Sequence, residues 1–154
     1  MTGTGGGGGA VYTLSSREFR VPTVPPLRLP CPGAAVTQSP LLWCGSSSGT
    51  LDASGAGAVN FTNTGSMGFN SQTGARTLTL TGTNTGSNTL AAVIGDNSGA
   101  TALTKLGTGT WVLTGANTYA GTTTVNAGTL MLDFSAAGAP ASNILGSSSA
   151  ISLG

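Results

Sequence analysis

Residues Ala102–Leu132 read ALTKLGTGTWVLTGANTYAGTTTVNAGTLML. Three short runs stand out, TWVL, TTTV and TLML, separated by Gly-Ala-Asn and Asn-Ala-Gly. Trp111 and Leu113 alternate with Thr110, Val112 and Thr114, and Leu130 and Leu132 alternate with Thr129 and Met131. Alternation of period two, fenced by Gly and Asn, is the pattern of half-buried strands joined by tight turns.

Working outward, the same word recurs upstream. RTLTLTGTNTG supplies Leu78 and Leu80 against Thr77, Thr79 and Thr81, and SGTLDASGAGAVNFTNTG supplies Leu51, Ala53, Val59 and Phe61. Met67, Phe69, Leu90, Ala92 and Ile94 fall in similar short runs, as do Ile144, Ile151 and Leu153. Nearly all are bounded by Gly, Asn, Asp or Ser, which accept turn conformations. Imperfect internal repeats of this size point to solenoids, propellers or arrays. A propeller wants longer strands and a recurring aromatic signature; a sandwich fits the strand spacing; a β-solenoid fits best, since its coils need short strands, sharp corners and small residues. At roughly 20 residues per coil, residues 49–154 make about five coils, a column about 25 Å long at the spacing of neighbouring strands.

Residues 1–48 differ in composition. They hold the Gly5–Gly9 run, six of the seven prolines, three of the four arginines and the only glutamate, Glu18. Proline at this density interrupts ladders and helices, and a glycine run carries a high ordering entropy. We therefore expect a disordered or irregular segment 1–48, with a short strand near Ala10–Leu14, ahead of a repeat region 49–154. The glycine run lacks the Gly-Lys-Ser/Thr ending and following helix of a phosphate loop. Cys31 and Cys44 cannot complete a zinc site alone; whether they pair is left open by their spacing.

The composition excludes several classes of function. Charged residues are 6% and the formal net charge is +1. Five Lys and Arg in 154 residues do not make the clustered positive surface that nucleic acid requires. There is no histidine, which removes the usual general base and the commonest transition-metal ligand. No cofactor or metal is expected. No apolar run is long enough for a membrane-spanning helix, and the N-terminus lacks the basic and apolar regions of a secretory signal. Asp52, Asp96 and Asp133 are the only carboxylate side chains in the repeat region. They occupy three separate places, read as turn or strand-edge residues, and lack the convergence that a glycan-cleaving enzyme needs, so a β-helical polysaccharide-active enzyme stands only as the third alternative.

At residues 102–133 the match becomes specific. LTKLGTGTWVLTGANTYAGTTTVNAGTLMLD resembles the autotransporter-associated β-strand repeat, also called the passenger-associated transport repeat. The matching positions are Leu103, Thr104, Lys105, Gly107, Gly109, Thr110, Leu113, Gly115, Asn117, Thr118, Tyr119, Gly121, Thr123, Thr124, Val125, Gly128, Thr129 and Leu130. Trp111 stands where the family usually has an aliphatic residue. The resemblance implies an all-β, right-handed parallel β-helix in the passenger region of an exported protein, secreted or held at the cell surface and associated with the outer membrane. It implies a structural, non-enzymatic role: propagating the coil scaffold and assisting passenger secretion. The expected partners are neighbouring β-helix coils of a longer chain, with the C-terminal Ser152-Leu153-Gly154 read as the middle of a further coil.

The residues expected to carry that role are the inward side chains Leu103, Trp111, Leu113, Val125, Leu130 and Leu132, and the corner residues Gly107, Gly109, Gly115, Asn117, Gly121 and Gly128. Asn117 and Asn126 are placed to bond backbone locally or in the next coil. Lys105, the only lysine, reads as a solvated side chain before the Gly107 turn. The threonines at 77, 79, 81 and 83, and at 122–124, raise an alternative: an adhesin-like surface binding glycan through its Thr/Asn face. In one-dimensional order they do not recur regularly, and threonine is also simply a good residue for an exposed strand.

Overall fold

A computed structural model describes residues 2–4, 10–13, 47–69 and 71–154. All its regular elements are strands: β1 (Thr2–Thr4), β2 (Ala10–Thr13), β3 (Ser48–Asp52), β4 (Asn60–Phe61), β5 (Arg76–Thr81), β6 (Asn88–Leu90), β7 (Thr101–Lys105), β8 (Thr110–Leu113), β9 (Thr123–Val125), β10 (Thr129–Leu132) and β11 (Ile151–Leu153). They form a seven-stranded sheet in the order β1-β2-β3-β5-β7-β9-β11 and a four-stranded sheet in the order β10-β8-β6-β4. Each pair is parallel except β1 with β2. From β3 onward successive strands alternate between the sheets, so the chain winds through both once per turn: a parallel β-solenoid of about four turns.

The coils are longer and less uniform than the repeat suggests. Ser48 lies against Thr77, Arg76 against Thr101, Leu103 against Thr123 and Thr123 against Ile151. Those steps are 29, 25, 20 and 28 residues. Only the coil from β7 to β9 has the expected length, which corrects five coils to about four. The extra residues sit in the corners and on a third, irregular side. There the chain stacks through backbone bonds such as Met67 N–H to Val93 O (2.8 Å) and Thr118 N–H to Ile94 O (2.9 Å), with one parallel bridge, Ser66 to Val93.

Alternation explains the core. In β5 and β7 every second residue is buried, and the buried set stacks in columns. Leu78 lies against Leu103, and Leu51 against Leu80. In the second sheet Phe61, Leu90, Leu113 and Leu132 form one column, and Asn88, Trp111 and Leu130 another. Met67, Ala92, Ile94, Tyr119 and Ile144 complete the core from the third side. No coil covers its own apolar face; each is closed by its neighbours. In β8 the alternation breaks down: Val112 and then Thr114 are buried along with Trp111 and Leu113, Val112 being enclosed between Thr89 and Met131 of the adjoining rungs.

Of the N-terminal segment, the expected strand near Ala10–Leu14 is present as β2, parallel to β3. The glycine run, Cys31 and Cys44 lie outside the described residues, as does most of segment 1–48.

Candidate functional site

The residues that the sequence singles out converge on the seam between the coils starting at β7 and β9. Leu103, Trp111 and Leu113 are fully buried in the central core, while Leu130 and Leu132 are half-buried and pack against it. Val125 is also half-buried; it lies one rung beyond Lys105, on the column that runs through Leu51 and Leu80. Trp111 is anchored as well as packed: its indole N–H donates to Thr81 O at 2.9 Å.

The corner glycines are required by close approach of successive coils. A Cβ on Gly109 would lie 2.4 Å from Asn84 O, on Gly115 2.7 Å from Ala92 O, and on Gly121 2.3 Å from Thr101 O. Gly107 and Gly128 also have φ near +67° and +68°, a conformation that other residues adopt at a cost.

Lys105 overturns the expectation of a solvated side chain. It is fully buried. Its Nζ donates to Leu106 O (2.6 Å) and Gly107 O (2.8 Å) in its own corner, and to Ala127 O (3.1 Å) in the following one. An ammonium has three donors, and all three are used. Burial pushes its pKa below the ordinary lysine value, while the three carbonyl oxygens favour the charged form. The sequence carried the clue: Lys105 has the same parity as Leu103, so period two places it inside. Its charge suggested otherwise.

Asn117 is likewise more than a corner residue. Its Oδ1 accepts from Ile94 N–H of the preceding coil at 2.7 Å, and its Nδ2 donates to Ile144 O of the following coil. Asn88, which the sequence reading did not single out, repeats the arrangement: Oδ1 accepts from Val59 N–H (2.9 Å) and Nδ2 donates to Thr110 O (2.7 Å). It shares parity with Leu90, the only hint in the sequence. Asn126 is exposed.

Tyr119 is a further buried polar residue. Its hydroxyl bonds Thr123 Oγ1 (2.7 Å), which in turn contacts Ser149 Oγ (2.8 Å) in the next coil. Burial raises the Tyr119 pKa above its ordinary value, partly offset by the hydroxyl bonds to Thr123 and Ser149.

The aspartates are not brought together. Asp96 holds two corners, accepting from Thr101 N–H (2.7 Å) and Ala120 N–H (3.0 Å). Asp133 accepts from the hydroxyl (2.6 Å) and backbone N–H (2.9 Å) of Ser135, and these bonds hold its carboxyl below the usual range. Asp52 takes the hydroxyl of Ser54. Among the described residues no three His, Cys, Asp or Glu side chains gather into a metal site, and no helix is long and apolar enough to cross a membrane.

The outward threonines form a regular row, contrary to their irregular spacing along the chain. Thr50, Thr79, Thr104, Thr124 and Ser152 are direct neighbours on five successive rungs. Unequal coil lengths hid the column. Next to it, on the inward parity of the same sheet, Ile151 and Leu153 of β11 are exposed, and so are Met131 and Phe134 at the end of the second sheet.

Comparison with known proteins agrees with this geometry. The model of the passenger-associated-transport-repeat family matches residues 103–132, the stretch that contains Lys105, Trp111, Asn117 and the corner glycines. Over 83 residues the chain is 49% identical to the adhesin BmaC autotransporter of Brucella suis biovar 1 (strain 1330). That match takes in 53% of this chain and only 2% of the adhesin's length. No solved structure matches.

Proposed function

With a passenger-associated transport repeat at residues 103–132 as the premise, we propose that this chain is a non-enzymatic β-helical segment of an exported, cell-surface passenger. Its work is to propagate the coil scaffold and to assist passage of the passenger to the surface. The observation that supports this best is the coincidence of the matched repeat with the seam, where buried groups of one coil are completed by the backbone of the next. The partner in this reading is a further β-helix coil, seated against β10 and β11, where Ile151 and Leu153 present apolar side chains on the inward parity. Display tests it: the chain is placed between a secretion signal and an outer-membrane translocator, and surface arrival is followed by protease accessibility. Substituting Trp111 or Gly121 lowers display if coil stacking drives export. Turnover of a polysaccharide that is lost on substitution of Asp52, Asp96 or Asp133 would sink the structural reading.

A second reading is favoured by the row of Thr50, Thr79, Thr104, Thr124 and Ser152. An uncharged ladder of hydroxyls, donor and acceptor at each rung, suits a neutral glycan, and the related protein is named an adhesin. Specific glycan-array binding that disappears on substituting Thr79 and Thr104, with the fold intact, would establish it.

A further inference from the structure

Parallel strands of this composition have a weakness. Slipping one residue turns the apolar set outward, but slipping two preserves the alternation. Thr77–Thr81 reads TLTLT and Thr122–Val125 reads TTTV, so a two-residue slip still places threonine outside and an apolar side chain or threonine inside. Coil lengths run from 20 to 29 residues, so no common corner length sets the register from coil to coil.

Three buried polar side chains distinguish these registers. Asn88, Lys105 and Asn117 all lie in the interior, and each donates to a carbonyl of the following coil: Thr110 O, Ala127 O and Ile144 O. The two asparagines have the same polarity, accepting from the preceding coil and donating to the following one. A slip of two residues moves those acceptors away by about 6.6 Å: Lys105 and Asn88 keep only the carbonyls of their own coil, Leu106 and Gly107 O and Asn84 and Gly86 O, and the Asn117 amide loses Ile144 O, which is costly for buried donors.

We infer that Asn88, Lys105 and Asn117 are register determinants, interior polar side chains that select which residues of each coil lie against the coil before it. Lys105 governs the alignment of β9 on β7, Asn88 that of β8 on β6, and Asn117 the irregular third side on both flanks. Register selection is a property of the stack itself and does not depend on export. It also separates specificity from stability: an apolar residue of similar size in place of a buried charge is often neutral or stabilising, yet here it removes the penalty on the slipped state.

Cross-linking in the full chain, with Cys31→Ser and Cys44→Ser as background, tests this. Thr104 and Thr124 face one another across β7 and β9 and are half-exposed, so the T104C/T124C pair closes a disulfide in the observed register. T104C with T122C or N126C is two residues off, beyond the roughly 7 Å Cα limit, and closes only after a slip. With Lys105 in place, glutathione-buffered oxidation is expected to trap the facing pair alone. K105M is expected to retain strand circular dichroism while raising slipped relative to facing cross-links at least about tenfold. Exclusive trapping of the facing pair in K105M would overturn the inference. So would loss of strand signal in both K105M and N117L, which would make these residues determinants of stability rather than register.

Discussion

The indole N–H of Trp111 donates to the carbonyl oxygen of Thr81 at 2.9 Å, across 30 residues of sequence. The same carbonyl accepts from Ala53 N–H at 3.0 Å, so one oxygen ties three successive coils together. Trp111→Ala removes both the ring and the bond and is expected to cost about 3–5 kcal/mol. Trp111→Phe keeps most of the apolar contact, and Thr81 O retains Ala53 as a partner. Its cost from the lost bond should be nearer 1 kcal/mol. Denaturant unfolding followed by circular dichroism measures both.

Glycines at corners divide into two kinds. Gly121 is closed in by Thr101 O, C and the Ala102 nitrogen, all within 2.7 Å of a built Cβ, whereas Gly138 has φ +83° and nothing within 4 Å. Gly121→Ala must push two coils apart, at about 1–3 kcal/mol or more. Gly138→Ala meets only backbone strain, of order 1 kcal/mol. The midpoint shift in urea is expected to be larger for Gly121→Ala, and amide exchange near Thr101 should quicken in that variant alone.

The hydrogen bonds from Ser135 hold the Asp133 carboxyl below the ordinary aspartate value. A depressed carboxyl contributes stability above its unfolded pKa and loses it as pH falls through the folded value. Acid titration by NMR should place the Asp133 midpoint below that of an exposed aspartate, and Ser135→Ala should move it upward. An unchanged midpoint in that variant would show that the hydroxyl is not the cause.

Tyr119 behaves in the opposite sense. Its pKa lies above 10.0 because burial disfavours the phenolate. Its contribution is therefore complete below pH 10.0 and is lost as pH rises through the folded value. Tyrosinate absorbance should show Tyr119 ionising later than an exposed tyrosine. Thr123→Val, which removes a bond favouring the phenolate, should delay it further.

Much of the scaffold was legible in local pattern. Trp111, Leu113 and Leu103 could be assigned to the interior because apolar side chains at period two need a covered face. The glycines at 107, 109, 115, 121 and 128 could be assigned to corners because few other residues turn so sharply. Lys105 and Asn88 were hidden for a chemical reason: parity placed them inside, but a charge or an amide is buried only when its partners are present. For each, one of those partners, Thr110 O for Asn88 and Ala127 O for Lys105, belongs to a residue 22 positions away. The threonine column was hidden because coils of unequal length bring Thr50, Thr79, Thr104 and Thr124 into line at uneven sequence intervals.

The sequence by itself determined an all-strand stack of coils, since alternation, corner residues and scarcity of charge are properties of each short segment and do not depend on distant contacts. Only the tertiary structure decided the number and length of the coils, the rung on which each residue sits, and which polar groups are buried. Those follow from the pairing of one coil with the next, and pairing is settled by hydrogen bonds between residues whose separation along the chain no local pattern records.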